Sequence, residues 1–490
     1  METYNNIVLE RLPRHLKRYV VAQRYERYTA LDQALWRYVM RQNYSFLKDV
    51  AYYPYIPGLK KAGLSIAKIP DLQQMNDSLK LIGWGAVTVD GFIPPAAFME
   101  FQAHRVLVIA ADIRQLEHIE YTPAPDIIHE SSGHAPIIGE PDYASYLQYF
   151  GEIGTKALSS GKDFELYEAI RHLSILKENP TTTQAELSAA EEYLQIVQDN
   201  MGAPSEMALL SRLHWWTVEY GLIGNLKDPK IYGAGLLSSI GESASCMRED
   251  VPKLPYDLKA IDYAYDITKP QPQLFVTPDF EHLKLVLDFD EAILLDYGIV
   301  LGKECVLRFD SGIIVEGIVQ RVLRQFDKIV LISFTSCEVY RNNREEIYFK
   351  PEWGTYDMAV GSEIVSVFAG AADKDAFEPI EEQLDQTLTP LPNEKEDVKL
   401  IGIHALIREL REQEFDQILW FDSFDRLSDE CIDHWLALVE LYEIAWANKE
   451  HGLAIKAESK LLKIVSLYPT VKKPVGDGIR VAKEESLNNH

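Results

Sequence analysis

The hydrophobic rhythm of this chain changes twice, and those changes limit its fold more than any single residue does. Up to about residue 285, apolar residues recur at helical spacing. In Thr29-Ala-Leu-Asp-Gln-Ala-Leu-Trp-Arg-Tyr-Val, for example, Leu31, Leu35, Tyr38 and Val39 share one face, and Thr29 can cap the helix with Asp32 three residues on. Pro123, Pro125, Pro136 and Pro141 punctuate the middle of this region, and polar helices are expected at 142–159, 163–177 and 183–200. The apolar run 106–111 has the length of a buried strand. Near residue 290 the pattern becomes an alternation rich in Val and Ile, over 305–310, 312–322 and 328–339. Turn signals at Asp310-Ser311-Gly312 and Arg341-Asn342-Asn343 separate these runs. Helical spacing returns after an acidic stretch carrying Pro379, Pro390 and Pro392. There Ser428-Asp-Glu is expected to cap a helix bearing Ile432, Trp435, Leu436 and Val439, and the polar tail after Pro474 is expected to fray.

The expected architecture is a mainly α catalytic domain with a few short strands at 1–285, a small antiparallel β-domain at 286–378, a linker at 379–396 and a helical C-terminal module at 397–490. A length of 490 residues accommodates this at roughly 150 residues per domain. No apolar run approaches the 18 or so residues that would span a bilayer, and the N-terminus lacks the apolar stretch of a signal peptide, so a cytoplasmic location is expected. Acidic residues number 75 against 49 basic ones, a formal charge of −26. Such a field repels nucleic acid and anionic membrane, and neither is expected as a partner. The four cysteines are scattered and form no CxxC pair, which argues against a disulfide framework or a thiolate zinc site.

The segment richest in chemistry is Tyr121-Thr-Pro-Ala-Pro-Asp-Ile-Ile-His-Glu-Ser-Ser-Gly-His-Ala-Pro136. His129 and His134 stand five apart, with Glu130 beside the first. A zinc protease needs its two histidines four apart; five places them about 140° apart on an ideal helix. Both can face one metal if the helix ends near Gly133. Two imidazoles and a carboxylate form the facial triad of non-haem Fe(II) oxygenases. Glu219, the one acid in the apolar stretch Leu213-His-Trp-Trp-Thr-Val-Glu-Tyr-Gly221, is the candidate third ligand, since an unpaired carboxylate there would be costly. On spacing alone, a metal site and a pair of ordinary packed histidines both remain open.

The sequence resembles the pterin-dependent aromatic amino acid hydroxylases. The family's hallmark Pro-Asp-x-x-His-Glu-x-x-Gly-His-x-Pro is present from Pro125 to Pro136. Two further blocks, Trp215-Trp-Thr-Val-Glu-Tyr-Gly221 and Tyr232-Gly-Ala-Gly-Leu-Leu-Ser-Ser-Ile-Gly-Glu242, follow in family order. The resemblance implies Fe(II) held by His129, His134 and Glu219, with Ser238 orienting an iron-bound histidine. It implies a reduced tetrahydropterin (tetrahydrobiopterin or a relative) stacked on Phe98, met at its edge by the backbone of Gly91 and Ile93, and contacted through water by Glu130. It places Arg114 on the substrate carboxylate, with Thr122, Pro125 and Trp215 lining the same pocket. Ile267 falls where the phenylalanine-directed branch carries an aliphatic residue. The implied reaction is ring hydroxylation of an aromatic amino acid by O₂, L-phenylalanine to L-tyrosine. The rivals are tyrosine or tryptophan as substrate, a zinc hydrolase with Glu130 as base, and a binding or scaffold protein. Ser131, Ser132 and His214 depart from the animal enzymes, and His214 could offer a third imidazole. No regulatory module is expected before the catalytic region. Residues 286–490 have no counterpart in the family pattern, which leaves open a binding, regulatory or oligomerisation role.

Overall fold

The computed structural model describes residues 4–488 except 117–118, 120–124, 158, 179–181, 203, 264, 266–269, 288–303, 309–313, 326–327, 342–343, 345, 360–397, 413–416 and 432–433. The expected linker, Thr122 and Ile267 therefore lie outside the described residues. Among the described residues helices dominate, with three small sheets between them. Thr29 caps the Ala30–Val50 helix through a reciprocal capping box with Asp32. The expected polar helices run Pro141–Gly154, Gly161–Glu178 and Gln184–Asp199. Among the described residues no helix is long and apolar enough to cross a membrane.

The run at 106–111 contains the buried strand Val106–Ala110. It pairs in parallel with Gly85–Val89, and the Pro95–Ala103 helix makes the crossover between them. A second sheet joins Asp228–Ile231, Leu222–Asn225, Leu274–Thr277 and Lys253–Pro255 in that order. The third is the antiparallel sheet expected beyond residue 290, with Glu304–Arg308, Ile314–Gln325, Lys328–Arg341 and Glu346–Phe349 in sequence order and Tyr356–Ala359 also pairing with Lys328–Arg341. It carries its own apolar cluster, including Val315, Val319, Ile332, Phe334 and Val339.

Two expectations for the C-terminal region change. Ser428 lies inside the Gln417–Glu430 helix rather than capping the next one, and its hydroxyl bonds the Lys460 ammonium. The following helix, Trp435–Ala447, starts after His434 and is buried on nearly every side. The tail is not frayed: Lys472–Asn488 is a helix, because Val475, Ile479 and Ala482 recur at helical spacing and pack inward. These helices share one apolar cluster with the catalytic region, where Tyr38 meets Trp435 edge-on at 5.4 Å and donates its hydroxyl to Pro474 O at 2.7 Å.

Candidate metal centre

His129 and His134 come together because the helix widens. Residues His129–His134 form a π-helical turn, in which backbone bonds span five residues rather than four. Side chains five apart then stand over one another, as those four apart do on an α-helix. The helix does not end near Gly133; it runs on as Ala135–Ile138. Ser131 and Ser132 give their hydroxyls to Ile127 O and Ile128 O, occupying carbonyls where the ladder changes pitch. Glu219 ends a second π turn, Trp215–Glu219, closed by Tyr220 N–H on Trp215 O at 2.8 Å.

The two turns are clamped by the segment after Tyr232. A Cβ on Gly133 would stand 2.6 Å from Ala234 O, and one on Gly233 2.5 Å from Glu219 O. Only glycine allows these approaches, and they bring the short Ala234–Ser238 helix to both. Ser238 Oγ then sits 2.8 Å from His129 Nδ1 and 2.8 Å from Ala234 O. A hydroxyl has one proton. Given to Ala234, it leaves Ser238 to accept from His129 Nδ1–H, so His129 Nε2 carries a bare lone pair.

That nitrogen lies 3.3 Å from Glu219 Oε2, and His134 Nε2 lies 3.4 Å from Glu219 Oε1. Both His134 ring nitrogens are buried without a hydrogen-bond partner among the described residues. Lone pairs converging on a carboxylate repel one another unless a cation lies between them, and two imidazoles with one carboxylate are a donor set for a divalent transition metal. Glu130 is the competing carboxylate. It groups with the two histidines within 4.8 Å, and its Oε2 is 3.7 Å from His134 Nε2. Charge favours Glu219. Burial pushes Glu130 up to about 8, leaving it mostly protonated at neutral pH. Burial also acts on Glu219, yet its carboxylate stays well below its usual range, with one oxygen facing each imidazole. A metal takes the ionised group.

Phe98, on the Pro95–Ala103 helix, reaches the same place, with its ring 6.4 Å from His134 and 5.7 Å from His214. His214 is not a third imidazole of the cluster. Its Nδ1 is 3.9 Å from Glu219 Oε1, its Nε2 is 3.2 Å from the Gln102 amide, and its ring is flanked by Phe98 and Phe150. Burial pushes it down to about 4, so it is neutral. Gly91 has φ +62°, and Ile93 is buried. Between them, Phe92 O accepts the Tyr167 hydroxyl at 3.0 Å.

Arg114 is 2% exposed and is no surface charge. Asp126 grips it from two sides, Nε to Oδ2 at 2.8 Å and Nη2 to Oδ1 at 2.8 Å, and also accepts the His129 backbone N–H at 3.0 Å. Burial would raise the Asp126 pKa, but the guanidinium holds it below its usual value. The sequence reading gave Asp126 no role, although an aspartate three residues before His129 at a helix start is a cap signal. Pro125, just before it, is half-buried. Trp215 is also half-buried and opens the second π turn.

A family model described as biopterin-dependent aromatic amino acid hydroxylase matches residues 18–175 and 181–300, more than half of the chain. The chain belongs to this family. Phenylalanine-4-hydroxylase of Mesorhizobium japonicum is 28% identical over 270 residues, covering 54% of this chain and 82% of that one. The Chromobacterium violaceum enzyme is 28% identical over 268 residues, covering 54% and 75%. A crystal structure of that bacterium's phenylalanine hydroxylase, with bound iron(III) and oxidised 7,8-dihydrobiopterin, aligns at 27% identity and TM-score 0.45 over 57% of this chain and 86% of that one. The protein is thus a pterin-dependent aromatic amino acid hydroxylase, an oxidoreductase of the monooxygenase type, and the hydrolase and scaffold readings fall away. Both π turns and the Tyr232–Ser238 clamp of this hydroxylase lie inside the matched region, while residues 301–490 lie outside it.

Proposed function

We propose that this hydroxylase converts L-phenylalanine to L-tyrosine, with Fe(II) held by His129, His134 and Glu219 and a reduced pterin beside Phe98. The observation that carries the reading is the convergence of two imidazole nitrogens on Glu219 at 3.3 and 3.4 Å in a buried site. Relatives named phenylalanine-4-hydroxylase support the choice of substrate.

A ferrous iron held by these residues would supply the redox chemistry for O₂, with a tetrahydropterin as the two-electron donor, so that one oxygen atom would enter the ring and the other would leave as water. The protein's own part is placement. Ser238 fixes the His129 tautomer and leaves Nε2 free to ligate. Phe98 offers an aromatic face to the pterin, and the Gly91 and Ile93 backbone meets its edge. Arg114, braced by Asp126, takes the substrate carboxylate. Pro125, Thr122 and Trp215 pack around the substrate, and Glu130 reaches the pterin through water. Ile267 gives a ring hydroxyl no partner, which disfavours tyrosine as substrate.

The test is anaerobic loading with Fe(II), followed by tetrahydropterin and O₂, reading tyrosine formed from phenylalanine. Partners that merely orient metal ligands are worth about 10–100-fold. His134→Ala and Glu219→Ala should therefore lose iron and at least ~10²-fold in turnover. Stoichiometric iron in either variant overturns the ligand set. A kcat/KM for tyrosine or tryptophan equal to that for phenylalanine overturns the substrate.

A further inference from the structure

The indole of Trp215 is held on three sides. Tyr220 stacks on it at 4.6 Å and 26°, and Tyr265 at 4.4 Å and 15°. Two rings that close to one centroid and that nearly parallel to it cannot share a face, so both faces are covered. The indole N–H donates to Gln271 Oε1 at 3.1 Å. The Gln271 backbone N–H donates in turn to Glu242 Oε1 at 3.2 Å. The polar restraint on Trp215 therefore leads through Gln271 to one carboxyl. Glu242 is 4% exposed, on the Ile240–Cys246 helix, with its backbone N–H on the Ser239 hydroxyl. Burying a carboxyl costs free energy unless its hydrogen bonds do something an apolar residue could not. Here the carboxyl orients Gln271, whose side chain holds the indole N–H.

We propose that Glu242 is a positioning residue for ring recognition: through Gln271 it locks Trp215, sandwiched between Tyr220 and Tyr265, so that only the edge of the indole faces the substrate. This rests on the reading of Trp215 as part of the substrate pocket. The edge of an aromatic ring carries positive potential and the face negative potential, so an indole edge meets a substrate ring in a T-shaped arrangement. A Trp215 freed from the clamp would turn about its side-chain torsions, offer its face and admit larger rings.

The experiment uses the iron-loaded full chain with 5-fluorotryptophan in place of tryptophan. The Trp215 fluorine resonance is identified by its loss in Trp215→Phe. Glu242→Leu and Gln271→Leu should each shift or broaden it, and Glu242→Gln, which keeps an acceptor for Gln271 N–H, should leave it near its original place. One hydrogen bond is worth up to about tenfold. Both leucine variants should therefore raise KM for phenylalanine by roughly fivefold to tenfold. They should narrow its kcat/KM advantage over tryptophan and leave pterin KM and iron content unchanged. In a Trp215→Phe background, which has no indole N–H, Gln271→Leu should add less than about twofold. An unmoved Trp215 resonance overturns the clamp. A moved resonance with unchanged phenylalanine KM overturns its role in ring recognition. Undiminished effects of Gln271→Leu without the indole show that Gln271 acts elsewhere. Absence of pterin-dependent turnover in the unmodified enzyme would instead strike at the proposed function, which separates the two failures.

Discussion

Asp126 shows how one side chain can serve two ends of a site. Its carboxylate takes two guanidinium nitrogens of Arg114 and the backbone N–H of His129, so the arginine proposed for substrate and the histidine proposed for metal are tied to the same two oxygens. Asp126→Asn keeps the shape but replaces one acceptor with a donor that faces a guanidinium N–H. The expected outcome is a rise in KM for the amino acid of about tenfold or more, equivalent to about 1.4 kcal/mol, with iron content retained. Steady-state kinetics beside an iron determination checks this; unchanged KM would mean that Arg114 holds its place without Asp126. The ligating residue types and Arg114 are legible in the sequence as motif positions. Asp126 is a motif position too, but its tie to Arg114 is not legible, because that partner stands 12 residues away.

At the scale of elements, the two π turns set the spacing of the centre. A five-residue separation that would splay two histidines on a regular helix aligns them on a widened one. The clamp through Ala234–Ser238 holds that geometry, and Gly133 is where it is tightest. Gly133→Ala would place a methyl group 2.6 Å from Ala234 O, against backbone that cannot swing aside. Overpacking of this kind costs about 1–3 kcal/mol. The helix carrying Ser238 should also be displaced from His129, so iron affinity should fall along with stability. Thermal melting and an iron titration on the same variant test both; a fully stable Gly133→Ala protein with intact iron binding would show that the clamp yields. Among the other elements, the cap at Thr29 was readable from local pattern, whereas the capping box of Thr183 with Glu186 emerges from the structure. Ser428 was misread, because a serine followed by acids looks the same inside a helix as at its start.

For the whole molecule, the most consequential packing is between segments at opposite ends of the chain. Arg37 donates Nε to Glu440 at 2.8 Å, Arg41 pairs with Glu443 at 2.9 Å, and Ser45 bonds Glu484 at 2.9 Å, all from the Ala30–Val50 helix. His404 lies 3.0 Å from the other oxygen of Glu440. The Arg37–Glu440 pair is buried, so removing one side leaves the other unpaired, at about 3–5 kcal/mol. A catalytic domain that stands alone at 1–285 thus meets a structural obstacle. A chain ending near residue 293 should be insoluble or lack a cooperative melt, since Arg37 and the apolar face around Leu35, Tyr38 and Val39 lose their cover. Circular dichroism melting of that truncation against the full chain is the check. A soluble, cooperatively folded and active truncation would show that the C-terminal helices are dispensable. The antiparallel sheet between the two regions has a separate core.

The amino-acid sequence alone determined the change from helix to strand near residue 290, the helix starts with local caps, the family and the residue types of the metal centre. Each of these depends on neighbours within a few positions or on an uninterrupted motif. Only the tertiary structure decided that the helix stays wound past Gly133 and that Trp215 is wedged between Tyr220 and Tyr265. It also decided that a polar-looking tail packs as a helix against the other end of the chain. The physical reason is range. Backbone pitch, carboxylate charge and burial are set by groups brought close by packing, such as Ser238 to His129 across 109 residues and Glu440 to Arg37 across 403, and no local pattern carries that information.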